Sequence, residues 1–126
     1  MCIRDREQAS VNIEGFRKLA SQYNTRFTHI YIRSNDEFNV RTRMFAPFDG
    51  MTEDPATGSA NCALGGLLTH YNDSDSGDFE WKIAQGVEMG RPSYLKARTH
   101  KKGGKVTATY IGGNSVMVSE GIIFVD

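Results

Sequence analysis

The run over residues 57–71 constrains the fold more than any other stretch, because it has helical length and contains no Asp, Glu, Lys or Arg. A surface helix keeps a charged face toward water, whereas one that is small or apolar all round is covered on every side. Gly58, Ala60, Ala63, Gly65 and Gly66 allow neighbouring backbone to approach closely. The segment therefore predicts a buried central helix, and a sheet wrapped around it is the natural cover.

The rest of the chain supplies that sheet. Residues 27–33 and 39–46 mix β-branched and aromatic side chains in partial alternation, with Ser34-Asn35-Asp36 as the break between two strands. Residues 47–56 read as a loop and 72–78 as an exposed acidic one. Five short strands follow as a meander over 81–85, 93–99, 105–111, 115–118 and 122–125. Gly103-Gly104 and Gly112-Gly113-Asn114 offer the positive φ angles of tight hairpins, and Ser119-Glu120-Gly121 closes the last pair. Ahead of all this, Val11, Ile13, Phe16, Leu19, Ala20 and Tyr23 recur at helical spacing and predict a helix ending near Asn24. The fold class is α+β, with a mixed, mostly antiparallel sheet around a central buried helix. Residues 1–10 share no apolar period with the helix after them and are set aside as a non-native or disordered start; residues 11–126 form a single domain.

Fifteen basic side chains balance fifteen acidic ones. The densest basic cluster, over 100–105, is short and broken by two glycines, so no nucleic-acid partner is expected and the cluster reads as a solvated hairpin tip. No run approaches the ~20 apolar residues of a membrane span, and the start lacks a basic-then-apolar leader, so the expectation is a cytoplasmic protein without a membrane partner. Cys2 and Cys62 have no His or Cys at metal-ligand spacing; reduced thiols and no metal are expected.

Chemistry concentrates in residues 48–60, where two adjacent carboxylates, a proline and a Thr-Gly-Ser step precede the buried helix. The first amides of a helix have no intrahelical acceptor and carry partial positive charge, so they can hold a carboxylate without Lys or Arg. Gly58 lets a ligand approach, the Ser59 hydroxyl can donate, and Asp54 at the lip can give or take a proton. A structural alternative stands beside this: Asp54 as an N-cap with Pro55 in the first turn, Thr57 and Ser59 as capping hydroxyls, and Gly58 as a packing glycine. Spacing alone favours the structural alternative.

The ordered motifs shift the balance. Arg43-Met44-Phe45-Ala46-Pro47, Gly50, Glu53-Asp54-Pro55-Ala56-Thr57-Gly58-Ser59-Ala60, Gln85-Gly86, Met89-Gly90-Arg91-Pro92-Ser93 and a late Gly112-Gly113 hairpin followed by Val116 and Gly121 together resemble the phenazine-biosynthesis PhzF-like family. The resemblance implies a diaminopimelate-epimerase-like fold of two lobes with the active site in the cleft between them, and this chain is similar to the C-terminal lobe. It implies a cofactor-independent proton shift on a small carboxylate-bearing metabolite, with Asp54 and Ser59 catalytic and Thr57, Gly58 and Ser59 binding substrate. It also implies a missing N-terminal lobe carrying the principal glutamate acid/base, an incomplete and inactive chain, and a possible homodimer. The alternatives are a non-catalytic small-anion-binding module and a structural half-barrel associating through its sheet edges.

Other candidates read as structural. Cys62 lies about one helical turn after Ser59 and is expected as a small buried hydrophobe. His70 suits a helix C-terminus, and His29 and His100 fall in or beside strands without evident partners. Arg91 either meets an anion in the cleft or braces a loop, and Glu53 either raises the pKa of Asp54 by repulsion or points to solvent.

Overall fold

In the computed structural model, which describes residues 3–125, β1 (Thr28–Arg33) lies antiparallel along one whole edge of β2 (Val40–Ala46). The other edge of β2 is divided. Its end pairs antiparallel with β3 (Met51–Asp54), and its start pairs parallel with β4 (Gly77–Gln85). β4, β5 (Ser93–Lys102) and β6 (Lys105–Gly113) then form an antiparallel meander, giving a six-stranded mixed sheet of order β1-β2-β4-β5-β6 with β3 beside β2. A parallel pair needs a crossover, and α3 (Gly58–His70) supplies it. The expected α+β fold, a mostly antiparallel sheet curved about a central helix, is the one observed.

Two helices precede the sheet. α1 (Ile3–Gln8) lies within the residues set aside on sequence grounds, and its terminal carbonyls at Arg6 and Glu7, with that of Ala9, accept hydrogen bonds from Arg43 Nη1. α2 (Ile13–Tyr23) begins where Asn12 Oδ1 accepts from the Gly15 amide at 2.9 Å and ends at Asn24, which takes a left-handed conformation (φ 49°). Its buried Phe16 meets Phe48 edge-on. Cys2 lies outside the described residues.

Val40, Leu64, Leu68, Ile83 and Ala97 form the core, with Trp81, Leu95 and Ile111 packed against it. The helix comes unusually near β5 because Gly65 has no side chain: a Cβ there would stand 2.8 Å from that of Ala97. At Gly66 it would stand 3.1 Å from the Thr109 methyl. The buried Thr69 and Thr99 hydroxyls share a hydrogen bond at 2.5 Å, and Trp81 Nε1 donates to Thr69 at 3.0 Å. The buried Lys101 ammonium donates to the carbonyls of His70 and Asn72, placing a cation on the C-terminal end of the α3 dipole.

Several expectations need correction. The helix is covered on one side only: Ser59, Ala63, Leu67 and His70 are exposed, and an open groove of about 380 Å³ runs between Ala60, Ala63, Leu64 and Leu67 on α3 and His29 and Tyr31 on β1. Apolarity announced that this face wants cover, and the sheet curls only partway around it. The loop over 47–56 contains β3, whose four residues are too few to show a period. Residues 115–118 and 122–125 are not strands; they pair with nothing among the described residues, and Val116 to Val125 include apolar side chains 82–92 % exposed. Gly112 and Gly113 make no hairpin. They continue β6 opposite Lys96 and Leu95, where a Cβ on Gly113 would lie 2.9 Å from the Tyr94 carbonyl oxygen. The Gly103-Gly104 turn has the expected positive φ angles of 53° and 73°. His100 is partnered, its Nδ1 meeting the Asp78 carboxylate.

This packing makes stability sensitive at two positions. Gly65→Ala should lower stability by about 1–3 kcal/mol through overpacking against Ala97, although alanine is the better helix former; the midpoint of urea unfolding measures it. Burial lowers the His29 pKa from 6.5 to about 4. The unfolded chain then binds a proton that the folded one refuses, so stability should fall as pH drops from about 6.5 toward 4. His29→Phe should flatten that part of the profile, read as urea midpoint against pH.

Candidate active site

The end of β2 and the whole of β3 are fastened by one ion pair. Arg43 Nε and Nη2 each donate to a Glu53 carboxylate oxygen at 2.8 Å, and both side chains are largely buried. Glu53 therefore neither points to solvent nor repels Asp54 as an uncompensated charge.

Asp54 ends β3, and the chain turns sharply after it. Its Oδ1 accepts from the Ala56 amide at 3.3 Å and its Oδ2 accepts from the Thr57 hydroxyl at 2.5 Å. Thr57, and not Asp54, is the N-cap of α3, so Pro55 stands ahead of the helix instead of in its first turn. The Thr57 side chain makes no capping bond. Its hydroxyl is turned back onto Asp54, and the first amides of α3 are left for a ligand.

This turn rests on two fully buried amides, Gln85 from the end of β4 and Asn61 from α3. Gln85 Nε2 reaches the Asp54 carbonyl at 2.7 Å and Thr57 Oγ1 at 2.9 Å, while Gln85 Oε1 accepts from the Thr57 amide at 3.3 Å. Asn61 Nδ2 reaches the Thr57 carbonyl at 2.8 Å and Gln85 Oε1 at 2.5 Å. Below the turn, Gly86 adopts φ 74°, and a Cβ there would lie 2.4 Å from the Arg91 carbonyl oxygen and 2.8 Å from that of Pro55. A side chain at 86 would displace the turn that carries Asp54.

A cavity of about 460 Å³ opens at the helix mouth, bounded by Ala56 and Gly58, by residues 92–95 and by residues 111–114. That volume suits a small metabolite. Of the four residues singled out from sequence, Gly58 lines it directly. A Cβ on Gly58 would meet only the Ile111 methyl, at an ordinary 3.9 Å, so internal packing does not demand glycine there. Asp54 and Thr57 do not bound it; Asp54 is linked to it by the hydrogen bond from the amide of Ala56, which does. Ser59 is exposed and does not bound the cavity, and its hydroxyl has no partner among the described residues. The hydroxyl that touches Asp54 belongs to Thr57, and because the Thr57 amide is engaged by Gln85 and the Asn61 amide by the Thr57 carbonyl, the amides without a partner among the described residues are those of Gly58, Ser59 and Ala60.

The remaining candidates lie apart. Cys62 Sγ contacts Thr109 Oγ1 at 3.2 Å, and His70 stacks edge-on against Tyr71. The Arg91 side chain is exposed, while its amide donates to the Gly86 carbonyl at 2.9 Å. Among the described residues no group of His, Cys, Asp and Glu could hold a metal ion. Sequence reasoning missed Asn61 and took Gln85 only as part of a motif. The available signal was one amide in an uncharged helix of mostly small and apolar side chains and another following the apolar pair Ile83-Ala84 at the end of a strand.

The family model described as Phenazine biosynthesis-like protein matches residues 7–121. An uncharacterized isomerase of Mesorhizobium japonicum is 38% identical over 99 residues, covering 77% of this chain and 33% of the relative. Trans-2,3-dihydro-3-hydroxyanthranilate isomerase of Pseudomonas aeruginosa is 42% identical over 81 residues, covering 64% of this chain and 29% of that enzyme. The chain thus spans about a third of the length of these relatives. A crystal structure of a PhzF-family phenazine biosynthesis protein from Bacillus anthracis shares the fold with a TM-score of 0.71 over 85% of this chain and 38% of that one, at 23% identity.

If Gly58 is glycine for the sake of the cavity, Gly58→Ala should leave the melting temperature unchanged or slightly raised. It should weaken binding of a small carboxylate such as benzoate at least fivefold, followed as shifts of the Gly58-to-Ser59 amide resonances in an NMR titration.

Proposed function

The chain belongs to the phenazine biosynthesis-like protein family, and from that premise we propose that it forms one lobe of a cofactor-independent isomerase that moves a proton on a small carboxylate-bearing metabolite. The observation that carries this reading is Asp54 held by the Thr57 hydroxyl and the Ala56 amide directly beside the uncapped start of α3. In this reading the substrate carboxylate accepts from the Gly58 and Ser59 amides and the Ser59 hydroxyl, where the helix dipole favours negative charge. The acidic carbon then lies within reach of Asp54, which takes the proton and returns it elsewhere on the substrate. A cyclic amino acid of the kind named for the Pseudomonas relatives has the required carboxylate, and its class is the proposed substrate class.

The lobe reading has its own support. The open apolar face of α3 and the exposed side chains of Val116, Val118, Ile122 and Phe124 are surface of the kind that a second lobe covers. A pure anion receptor is the weaker alternative, since a carboxylate beside a bound anion works against affinity.

The test uses the full-length protein carrying this chain. In heavy water, wild type should incorporate deuterium into a dihydro-hydroxyanthranilate or a related unsaturated amino acid, and Asp54→Asn should slow this by about two to four orders of magnitude with the melting temperature preserved. Equal exchange rates in wild type and Asp54→Asn would overturn the role of Asp54.

A further inference from the structure

The hydrogen bonds around Thr57 fix more than the shape of a turn. The Asp54 carbonyl can only accept, so the Gln85 atom 2.7 Å from it is the NH₂ group, and the Thr57 amide can only donate, so the Gln85 atom facing it is the carbonyl oxygen. The orientation of Gln85 is thereby dictated by main-chain groups. Asn61 is fixed in turn: its NH₂ faces the Thr57 carbonyl and Gln85 Oε1, both acceptors, which leaves Asn61 Oδ1 toward the Thr42 hydroxyl. The Gln85 NH₂ also donates to Thr57 Oγ1 at 2.9 Å, filling a lone pair of that oxygen. The Thr57 hydroxyl proton is directed to Asp54 Oδ2, 2.5 Å away.

We propose that Gln85 is a positioning residue for the isomerisation. By donating to the Thr57 hydroxyl, it holds that proton on Asp54 and leaves the remaining lone pairs of the carboxylate as the base presented to substrate. Two features separate this from mere packing. Gln85 is completely buried and spends both its donors and its acceptor on the Asp54-to-Thr57 turn and on Asn61. Both its neighbours are likewise committed: Gly86 has its positive φ and lies against Pro55, and the preceding residues of β4 pair with β2 and β5. The inference rests on the proposed role of Asp54, because a turn that performed no proton transfer would gain nothing from the direction of one hydroxyl.

Gln85→Glu tests it, being nearly isosteric. An ionised carboxylate at 85 has no N–H to offer Thr57 and instead attracts its hydroxyl proton away from Asp54; a protonated one can donate again. In the full-length protein, Gln85→Glu should therefore lose at least tenfold in kcat for deuterium incorporation at pH 8 with KM changed less than threefold, and should recover part of that loss as pH is lowered toward 5. Thr57→Val should lose kcat similarly at every pH, and Thr57→Ser should retain it. A Gln85→Glu profile parallel to wild type, with kcat within twofold, would overturn the proposal. Hydrogen exchange of the Thr57 amide, measured on the same full-length protein, keeps the two readings distinguishable. If wild type proves inactive on every substrate while Gln85→Leu releases that amide at an unchanged melting temperature, the turn is merely braced and the proton-positioning role falls with the isomerase reading. If wild type is active and Gln85→Glu behaves as wild type, the isomerase reading stands and this one fails.

Discussion

The near contact of α3 with β5 at Gly65 is the constraint on which the rest of the molecule depends. With no Cβ between the helix and Ala97, the helix axis settles close to the sheet, and Leu64 and Leu68 reach Val40 and Ile83. Dispersion and hydrophobic burial both fall off once a gap opens, so a small core of this kind tolerates no outward shift of the helix. Its two ends are then fastened by side chains from the sheet. Lys101 of β5 satisfies carbonyls at the C-terminal end, and Gln85 of β4 holds the turn that leads into the N-terminal end. The difference in charge is consequential. A cation neutralises the negative end of the helix dipole, whereas the brace at the positive end is a neutral amide; the Asp54 carboxylate stands beside that end, and the first-turn amides remain for an anionic ligand.

The divided edge of β2 explains how Asp54 comes to that end. β2 gives its first residues to β4 and its last to β3, so the two strands approach from opposite directions along one line, and Asp54 and Gln85 finish near each other. β3 is too short to hold this register by main-chain bonds alone, and the Arg43–Glu53 pair anchors it. Buried ion pairs contribute little net stability against an apolar substitute, but losing one partner leaves an uncompensated charge. The pair therefore specifies register, and it also neutralises the carboxylate next in sequence to Asp54.

Legibility in the sequence tracked how local each signal was. α2 showed its period and its end near Asn24; the Gly103-Gly104 turn and the strands flanking it were read from turn chemistry and alternation. The α3 segment was read as a helix, but its composition could say only that apolar faces want cover. The sheet takes one face and leaves the other open. Residues 115–118 and 122–125 read as strands and pair with nothing among the described residues, because a strand needs a partner that its own sequence does not contain. At the site, the motif drew attention to residues 54–59, yet the contact to Asp54 came from Thr57 across a tight turn. Gln85 could not be placed there from sequence at all, since it arrives through the parallel pairing of β4 with β2, a non-local event.

The titratable groups around the helix mouth show what this chain itself brings to the proposed chemistry. Glu53 is committed to Arg43, the Arg91 side chain is exposed away from any hydrogen-bond partner among the described residues, and His29 lies in the groove on β1, where burial keeps it neutral down to about pH 4. Among the described residues Asp54 is the acid/base group hydrogen-bonded into the turn. Inverting a stereocentre requires removal of a proton from one face of a carbon and delivery to the other, hence two groups on opposite sides of the substrate. Moving a proton between two carbons of one face requires a single carboxylate that stays near while the double bond shifts. A fixed carboxylate beside an anion-holding helix start supplies one such group under either demand, and the hydrogen bonds from Thr57 and Ala56 give Asp54 a defined position from which to act.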